Sequence, residues 1–317
     1  MDVLTDVLEA LRLKSTVLGR LELTAPWGLQ SDGACSALLV VTRGTCWLDV
    51  KGIAEPLQLA GGDLVLLTRS AGHTLRDHPR TRPIPFADVC RVPPGARSPC
   101  QPGGIFHYGG GGALTTIIGG RFEVEDADPL RLIAALPPVI HVKGDRGTPV
   151  QWLEASLHFV ASEMASGLPG AQTVVSRLVD ILFVQAVRAY LAESGPRTKG
   201  WLRGLLDPQI GQALALMHQR PEAPWTVQSL AADVGMSRSA FAARFADLVE
   251  ESPLAYLTRW RMSRASTLLG RGSSGIAEIA TRVGYDAEAA FSKAFKRWMG
   301  KAPGEYRRAR RDVAAAG

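Results

Sequence analysis

The chain repeats itself near its C-terminal end. LAADVGMS at 230–237 and IATRVGYD at 279–286 place Ala231 with Ala280, Val234 with Val283, and Gly235 with Gly284. Downstream, with one extra residue in the second copy, Phe241 matches Phe291, Phe245 matches Phe295, Pro253 matches Pro303 and Tyr256 matches Tyr306. A repeat of roughly fifty residues is one supersecondary unit used twice, and any fold for the chain has to accommodate it.

Each copy reads as a helix-turn-helix. A short helix with small and apolar residues on one face meets a glycine, which supplies the backbone freedom a tight inter-helix turn needs. Ser237 and Asp286 follow as expected N-caps, accepting from the open N–H groups of the next helix. Phe241, Phe245 and Leu248 then recur at helical spacing, as do Phe291, Phe295 and Trp298, so one stripe is expected to be buried and the opposite face left free. A helix over 253–269 would fix the separation of the copies. Two recognition helices held that way can enter successive major grooves about 34 Å apart on one face of a duplex.

These residues carry a family resemblance. LAADVGMSRSAFAARF, SPLAYLTRWRMSRASTLL and IAEIATRVGYDAEAAFSKAFKRWMGKAPGEYRR resemble the DNA-binding domain of the AraC/XylS transcription regulators over about a hundred residues. The closing pattern Gly284-Tyr285, Phe291, Phe295-Lys296, Gly300, Pro303, Tyr306-Arg307 is the most specific part. The resemblance implies double-stranded DNA and RNA polymerase as partners and a homodimer; the absence of any nucleophile-plus-base motif argues against an enzyme.

Exposed positions near the start of each second helix face base edges in such an arrangement. In the first copy these are Arg238, Ser239, Ala242 and Ala243; relatives often have Arg where Ala243 stands, and alanine can still pack on a thymine methyl. In the second copy they are Glu288, Ala289, Ser292 and Lys293, where Lys293 can reach guanine and Glu288 can accept from cytosine. Lys296, Arg297, Arg307 and Arg308 are read as phosphate contacts or a solvated face.

A length of 317 residues is a prior for about two domains. The net charge of +6 suits a polyanionic partner. The apolar runs are too short to span a membrane, and the acidic start MDVLTDVLEALRL does not read as a signal peptide. The expected location is therefore cytoplasmic, where the four cysteines would be reduced thiols. The fold class expected is α+β and multidomain: a β-barrel over 1–147, a helical lid or dimerisation hairpin over 148–195, a linker over 196–204, and the all-α double helix-turn-helix over 205–312.

Within the first region, Val3, Leu4, Val7, Leu8 and Leu11 predict a short amphipathic helix. From 16 to 121 short apolar runs alternate with Gly-rich breaks, which predicts an antiparallel sandwich or barrel. Residues 76–112, rich in Pro and Gly, read as a long mobile surface excursion. Helical spacing then returns in Leu153, Leu157, Val160 and Met164, and in Leu178, Ile181, Leu182, Gln185 and Val187. The resemblance implies a dimer contact there; a hairpin that only covers the barrel is the alternative.

RGTCWLDV, LAGGDLVLLTRSAGHTL and GGRFEVEDADPLRLIAALPPVIHV resemble the small cupin barrel found in one branch of the same regulators. Gly62 and His73 fit the second cupin motif, but Thr68, Ser70 and Asp77 replace its Pro, Gly and Asn, and no His precedes His73 to complete a metal triad. A cupin without its ligands implies a sensor pocket rather than an enzyme, with no cofactor. His73 and Asp77 are candidate effector contacts, and a metal held by His73, His78 and His107 is a lesser alternative. The resemblance also raises redox sensing, with Cys46, Cys90 and Cys100 as candidate thiols. Against this, Cys35 and Cys46 also read as small residues packed in strands. The function expected is a sequence-specific regulator set by a small molecule or oxidant at the barrel. The alternatives are a DNA-binding protein without an effector, or a cupin enzyme with a DNA-binding appendage.

Overall fold

The computed structural model describes residues 3–10, 13–33, 36–69, 71–91, 104–124, 132–144, 155–156, 159–160, 162–163, 166, 168–194, 200–271 and 274–316. The chain opens with helix α1 (Val3–Ala10) and continues through strands β1 (Leu13–Thr24), β2 (Gly28–Ser31), β3 (Ser36–Arg43), β4 (Thr45–Val50), β5 (Leu57–Ala60), β6 (Leu64–Leu67), β7 (His73–Arg76) and β8 (Ile84–Pro85). A short helix α2 (Phe86–Val89), strands β9 (Gly104–Gly109) and β10 (Leu114–Val124), helix α3 (Leu132–Ala135) and strand β11 (Val139–Val142) come next. Besides helical residues among the partly described 155–166, the helices that follow are α4 (Ala171–Ser194), α5 (Trp201–Leu206), α6 (Pro208–Gln219), α7 (Val227–Asp233), α8 (Arg238–Val249), α9 (Pro253–Arg271), α10 (Ile276–Arg282), α11 (Glu288–Met299) and α12 (Pro303–Ala316). The fold is α+β, with sheets in the N-terminal half and helices in the C-terminal half.

Two compact units result. One comprises 13–123 and 136–193; the other comprises 1–12, 124–135 and 194–317. Residues 1–12, expected with the barrel, thus group with the C-terminal helices. The expected linker over 196–204 ends inside helix α5, whose Trp201 and Leu202 are buried.

In the sheet-bearing unit a six-stranded sheet runs β11-β6-β3-β10-β1-β9 and a five-stranded sheet runs β5-β4-β7-β2-β8. One core joins them: Leu23, Leu39, Val41, Val65 and Ile117 from the first sheet meet Leu29, Cys46, Leu48, Leu59 and Leu75 from the second. Strand β3 is buried on both faces, because Ala37, Leu39 and Val41 point into this core while Leu38 and Val40 point the other way. On that outer side Phe122 of β10 meets Phe183 of α4 edge-to-face with ring centroids 5.1 Å apart. Helix α4 buries Val175, Val179, Leu182, Phe183, Ala186 and Val187, a single stripe at helical spacing. Ile181, expected on that stripe, is 48% exposed, since it lies on the opposite side from Val179 and Phe183. Val160 is helical and buried; Leu153, Leu157 and Met164 lie outside the described residues.

The pairing is not wholly antiparallel. β1 runs parallel to β9 and β2 parallel to β8. Parts of the expected surface excursion are therefore ladder strands, and α2 packs against β9 through Phe86 and Phe106, 5.5 Å apart. Glycine permits the closest approach: a Cβ at Gly109 would lie 1.9 Å from the Thr24 carbonyl oxygen. Asp63 locks a further corner. It accepts from Ala60 N at 3.0 Å, from Gly144 N at 2.8 Å, and meets His141 Nε2 at 3.0 Å. Burial raises this carboxyl, yet those hydrogen bonds hold it below its ordinary value.

In the helical unit α1 packs on α6 and α9. Its Val3, Leu4 and Val7 are buried as expected. Buried Asp6 lies 3.4 Å from His218 Nδ1, and His218 shares a 2.7 Å hydrogen bond with Tyr256 and stacks on Trp260 at 3.9 Å. No described helix is long and apolar enough to cross a membrane.

Candidate nucleic-acid interface

The two copies of the repeat form two helix-turn-helix units, α7–α8 and α10–α11, on either side of α9. Their turns are closed by equivalent bonds. Met236 N donates to Ala231 O at 2.8 Å, and Tyr285 N donates to Ala280 O at 2.9 Å. Gly235 N donates to Ala232 O, and Gly284 N donates to Thr281 O, at 3.1 and 3.0 Å. This six-to-one closure needs a left-handed residue, and Gly235 and Gly284 supply it with φ of 69° and 80°.

The helix starts differ. Thr226 and Ser229 form a reciprocal capping box ahead of α7. Ser237 caps α8 by accepting from Ala240 N at 3.3 Å, as expected. Asp286 does not cap α11. Ala287 occupies that position and makes no side-chain cap hydrogen bond, because the extra residue of the second copy moves the helix start one position along.

Phe241, Phe245 and Leu248 are buried, as are Phe291 and Phe295. Trp298 is not; it is 39% exposed, and Met299, one position on, packs against the core instead. The positions expected from sequence to face DNA lie as follows. Arg238, Ser239 and Ala243 on α8 are exposed and Ala242 is half-buried; Glu288, Ala289 and Lys293 on α11 are exposed and Ser292 is half-buried. Lys296 and Arg297 are exposed in the last turns of α11. Among the described residues, Arg238, Lys293, Lys296 and Arg297 make no ion pair, so these positive charges are not neutralised by the fold; Glu288 makes no ion pair either.

Other cations of the unit are committed to the fold. Arg244 of α8 donates through Nε and Nη2 to Asp207 Oδ2 at 3.0 and 2.6 Å. Asp207 also caps α6, accepting from Gln209 and Ile210 at 3.1 and 3.0 Å. Burial raises the Asp207 carboxyl, but the bonds from Ile210, Arg244 and Gln209 hold it below its ordinary value. Arg307, read from sequence as a phosphate contact or solvated side chain, donates to Ser274 O at 2.6 Å. Sequence reasoning missed Arg244 and Asp207. The signal was present in Asp207-Pro208, a cap residue followed by proline at the first helical position.

The barrel candidates are scattered. His73 opens β7, its Nδ1 lies 3.3 Å from Ala71 O, and burial pushes its pKa down. Asp77 accepts from Trp27 N at 3.2 Å, so its carboxylate is engaged by backbone. His78 accepts from Arg80 N at 3.2 Å, and His107 pairs with Glu22 at 3.2 Å on the other sheet. Among the described residues no three His, Cys, Asp or Glu side chains are placed to hold a metal. Cys46 is wholly buried in the core, and desolvation, with a lesser effect from Asp63, pushes its thiol up to about 12. A thiol so placed is not the accessible thiolate that oxidant sensing requires, which removes Cys46 from the redox candidates. Cys90 is disulfide-bonded, contrary to the expectation of four free thiols. Cys35 and Cys100 lie outside the described residues.

Residues 2–192 match a family model described as a cupin, and residues 230–309 match one described as a helix-turn-helix domain. A putative AraC-like transcription regulator of Streptomyces lividans is 38% identical over 312 residues, covering 97% of this chain and 98% of its own. A second, from Streptomyces antibioticus, is 36% identical and covers 97% and 99% respectively. Among solved structures, the DNA-binding domain of AdpA, a global transcriptional factor in complex with a target DNA, is 32% identical. It covers 35% of this chain and 99% of its own, with a TM-score of 0.33.

Proposed function

This chain belongs to the AraC-like family of DNA-binding transcription regulators, and from that premise we propose that it is a sequence-specific regulator whose barrel sets its activity in response to a small molecule or oxidant. The observation that carries the DNA-reading part is the division of labour among the cations. Arg244 and Arg307 are tied to the fold, while Arg238, Lys293, Lys296 and Arg297 are held outward on the two recognition helices. The ten expected DNA contacts divide into base readers (Arg238, Ser239, Ala242, Ala243, Glu288, Ala289, Ser292, Lys293) and phosphate contacts (Lys296, Arg297).

The working form is a homodimer that engages RNA polymerase. Supporting the dimer, α4 carries a second apolar row beside its buried stripe: Val174 and Ile181 are exposed, at 38% and 48%, with Leu178 half-buried between them. For the signal, the disulfide at Cys90 favours an oxidant.

The test is capture of sheared genomic DNA on the full chain, with and without a thiol oxidant, followed by sequencing. A few sharp peaks are expected, and peaks that change with oxidant would assign the signal to the remaining cysteines. Broad, salt-sensitive recovery without peaks would reduce the protein to a nonspecific binder.

A further inference from the structure

The two helix-turn-helix units are joined by more than α9. The loop ahead of α7 is braced by itself: Trp225 Nε1 donates to Arg220 O at 2.8 Å, the Arg220 guanidinium lies over the Trp225 ring at 4.9 Å, and Trp225 N donates to Ala223 O at 2.7 Å. Two carbonyls of the loop, that of Ala223 shared with Trp225 N, are directed at one side chain of α9. Arg261 donates through Nε to Pro221 O at 2.6 Å and through Nη2 to Ala223 O at 2.8 Å. The same guanidinium lies 5.9 Å from the Tyr285 ring, in the turn of the second unit. Tyr285 in turn meets Phe291 of α11 edge-to-face at 5.8 Å. The fit is close: a Cβ on Gly284 would lie 2.7 Å from Arg261 Nη2 and 2.8 Å from the Glu222 carbonyl oxygen.

We infer that Arg261 is a positioning residue for DNA recognition: its guanidinium clasps loop 220–225 of the first unit to the Gly284–Tyr285 turn of the second, fixing the distance and twist between α8 and α11. The planar fork is what the site uses, since one group serves two carbonyls and an aromatic ring at once. A helix alone sets a separation but resists bending and twisting only weakly at its ends. The clasp closes the second side of the frame. Arg261 itself touches no base. The inference rests on the reading that both recognition helices engage one duplex.

Two measurements on the full chain test it. First, the best duplex is selected in vitro from a randomised library with the wild-type protein, and one base pair is inserted between its two recognised blocks. Each inserted pair rotates one block by about 34° relative to the other, so the rigid wild type is expected to lose about tenfold or more in affinity. Arg261→Met is expected to bind the uninserted duplex more weakly and to discriminate between the two spacings by less than about threefold. Arg261→Lys keeps the charge and one carbonyl bond, and should fall between; it also serves if the methionine variant fails to fold.

The second measurement needs no DNA. Nitroxide labels at Ala240→Cys and Ala290→Cys, in a Cys35→Ser, Cys90→Ser, Cys100→Ser background, report the distance between the two exposed helix starts. A narrow distribution that broadens in Arg261→Lys and Arg261→Met supports the clasp, even if selection returns a single-block duplex and the two-helix reading falls. An unchanged distribution, or an unchanged spacing profile in variants that fold, overturns it.

Discussion

The first and second helix-turn-helix units share a sequence pattern and a turn geometry, yet they are secured by different means. The first is held by local polar chemistry: a capping box at Thr226, a cap at Ser237, and the Asp207–Arg244 pair that ties α8 to the start of α6. The second lacks side-chain caps at Gly275 and Ala287 and is held by fit, with Gly284 wedged against Arg261 and the Glu222 carbonyl. A repeat can keep its shape while its stabilising interactions diverge. Residues at matching positions therefore differ in what they tolerate.

The glycines give the largest expected contrast. Gly284→Ala should destabilise the protein by about 3 kcal/mol, combining left-handed strain with overpacking. Gly235→Ala should cost about 1–2 kcal/mol, because a Cβ there meets nothing within 4 Å and only the strain remains. Urea unfolding of the two variants gives the comparison directly, and equal losses would mean that the wedge is not real.

Recognition should divide the same way. Lys293→Ala is expected to cost ~1–3 kcal/mol at one base pair of the selected site. Arg244→Ala should leave base preference unchanged and lower stability instead, since its guanidinium is engaged by Asp207. A uniform loss across all sequences for Lys293→Ala would make that lysine a phosphate contact. Lys296→Ala or Arg297→Ala should lower the salt slope by about one, whereas Arg307→Ala should not.

Capping gives a smaller effect of opposite sign in the two copies. Ser237→Ala should cost about 1 kcal/mol, while Ala287→Ser should add about 0.5 kcal/mol by supplying the missing cap, both read from the urea midpoint.

The smallest contrast is with pH. The folded-state pKa of Asp207 lies below its unfolded value, so its contribution is full above the ordinary carboxylate range and is lost as pH falls through the folded pKa. The stability gap between wild type and Asp207→Asn should thus narrow below about pH 4. A gap that stays constant down to acid denaturation would show that the ionised carboxylate contributes nothing, whether through the cap on Ile210 and Gln209 or through the pair with Arg244.

Much of this frame was legible in the residues themselves. The glycine positions, the Phe241–Phe245 and Phe291–Phe295 stripes and the helix over 253–269 follow from periodicity and turn chemistry, which are local. What periodicity does not carry is the partner. Arg244 and Arg261 look like any other basic residue on a helix until the chain returns Asp207, Pro221 and Ala223 to them. The parallel pairing of β1 with β9 brings together segments far apart in sequence, so a Gly- and Pro-rich texture alone reads as a surface excursion. Asp286 was misplaced for a narrower reason. One inserted residue shifts a helix start, and a cap is a property of a single position. The disulfide at Cys90 was hidden because the reading of free thiols came from the expected compartment rather than from geometry.

The docking of α1 has a consequence for the order of synthesis. Val3, Leu4, Asp6 and Val7 leave the ribosome well before α6 and α9, against which α1 packs, with the strands β1 to β11 made in between. His218 and Tyr256 do not exist when Asp6 emerges. The DNA-binding unit cannot complete itself as a C-terminal module while the chain grows; its first helix must wait through the whole of the sheet-bearing unit. A fragment beginning at residue 200 would keep every recognition residue and still leave bare the faces of α6 and α9 that α1 covers.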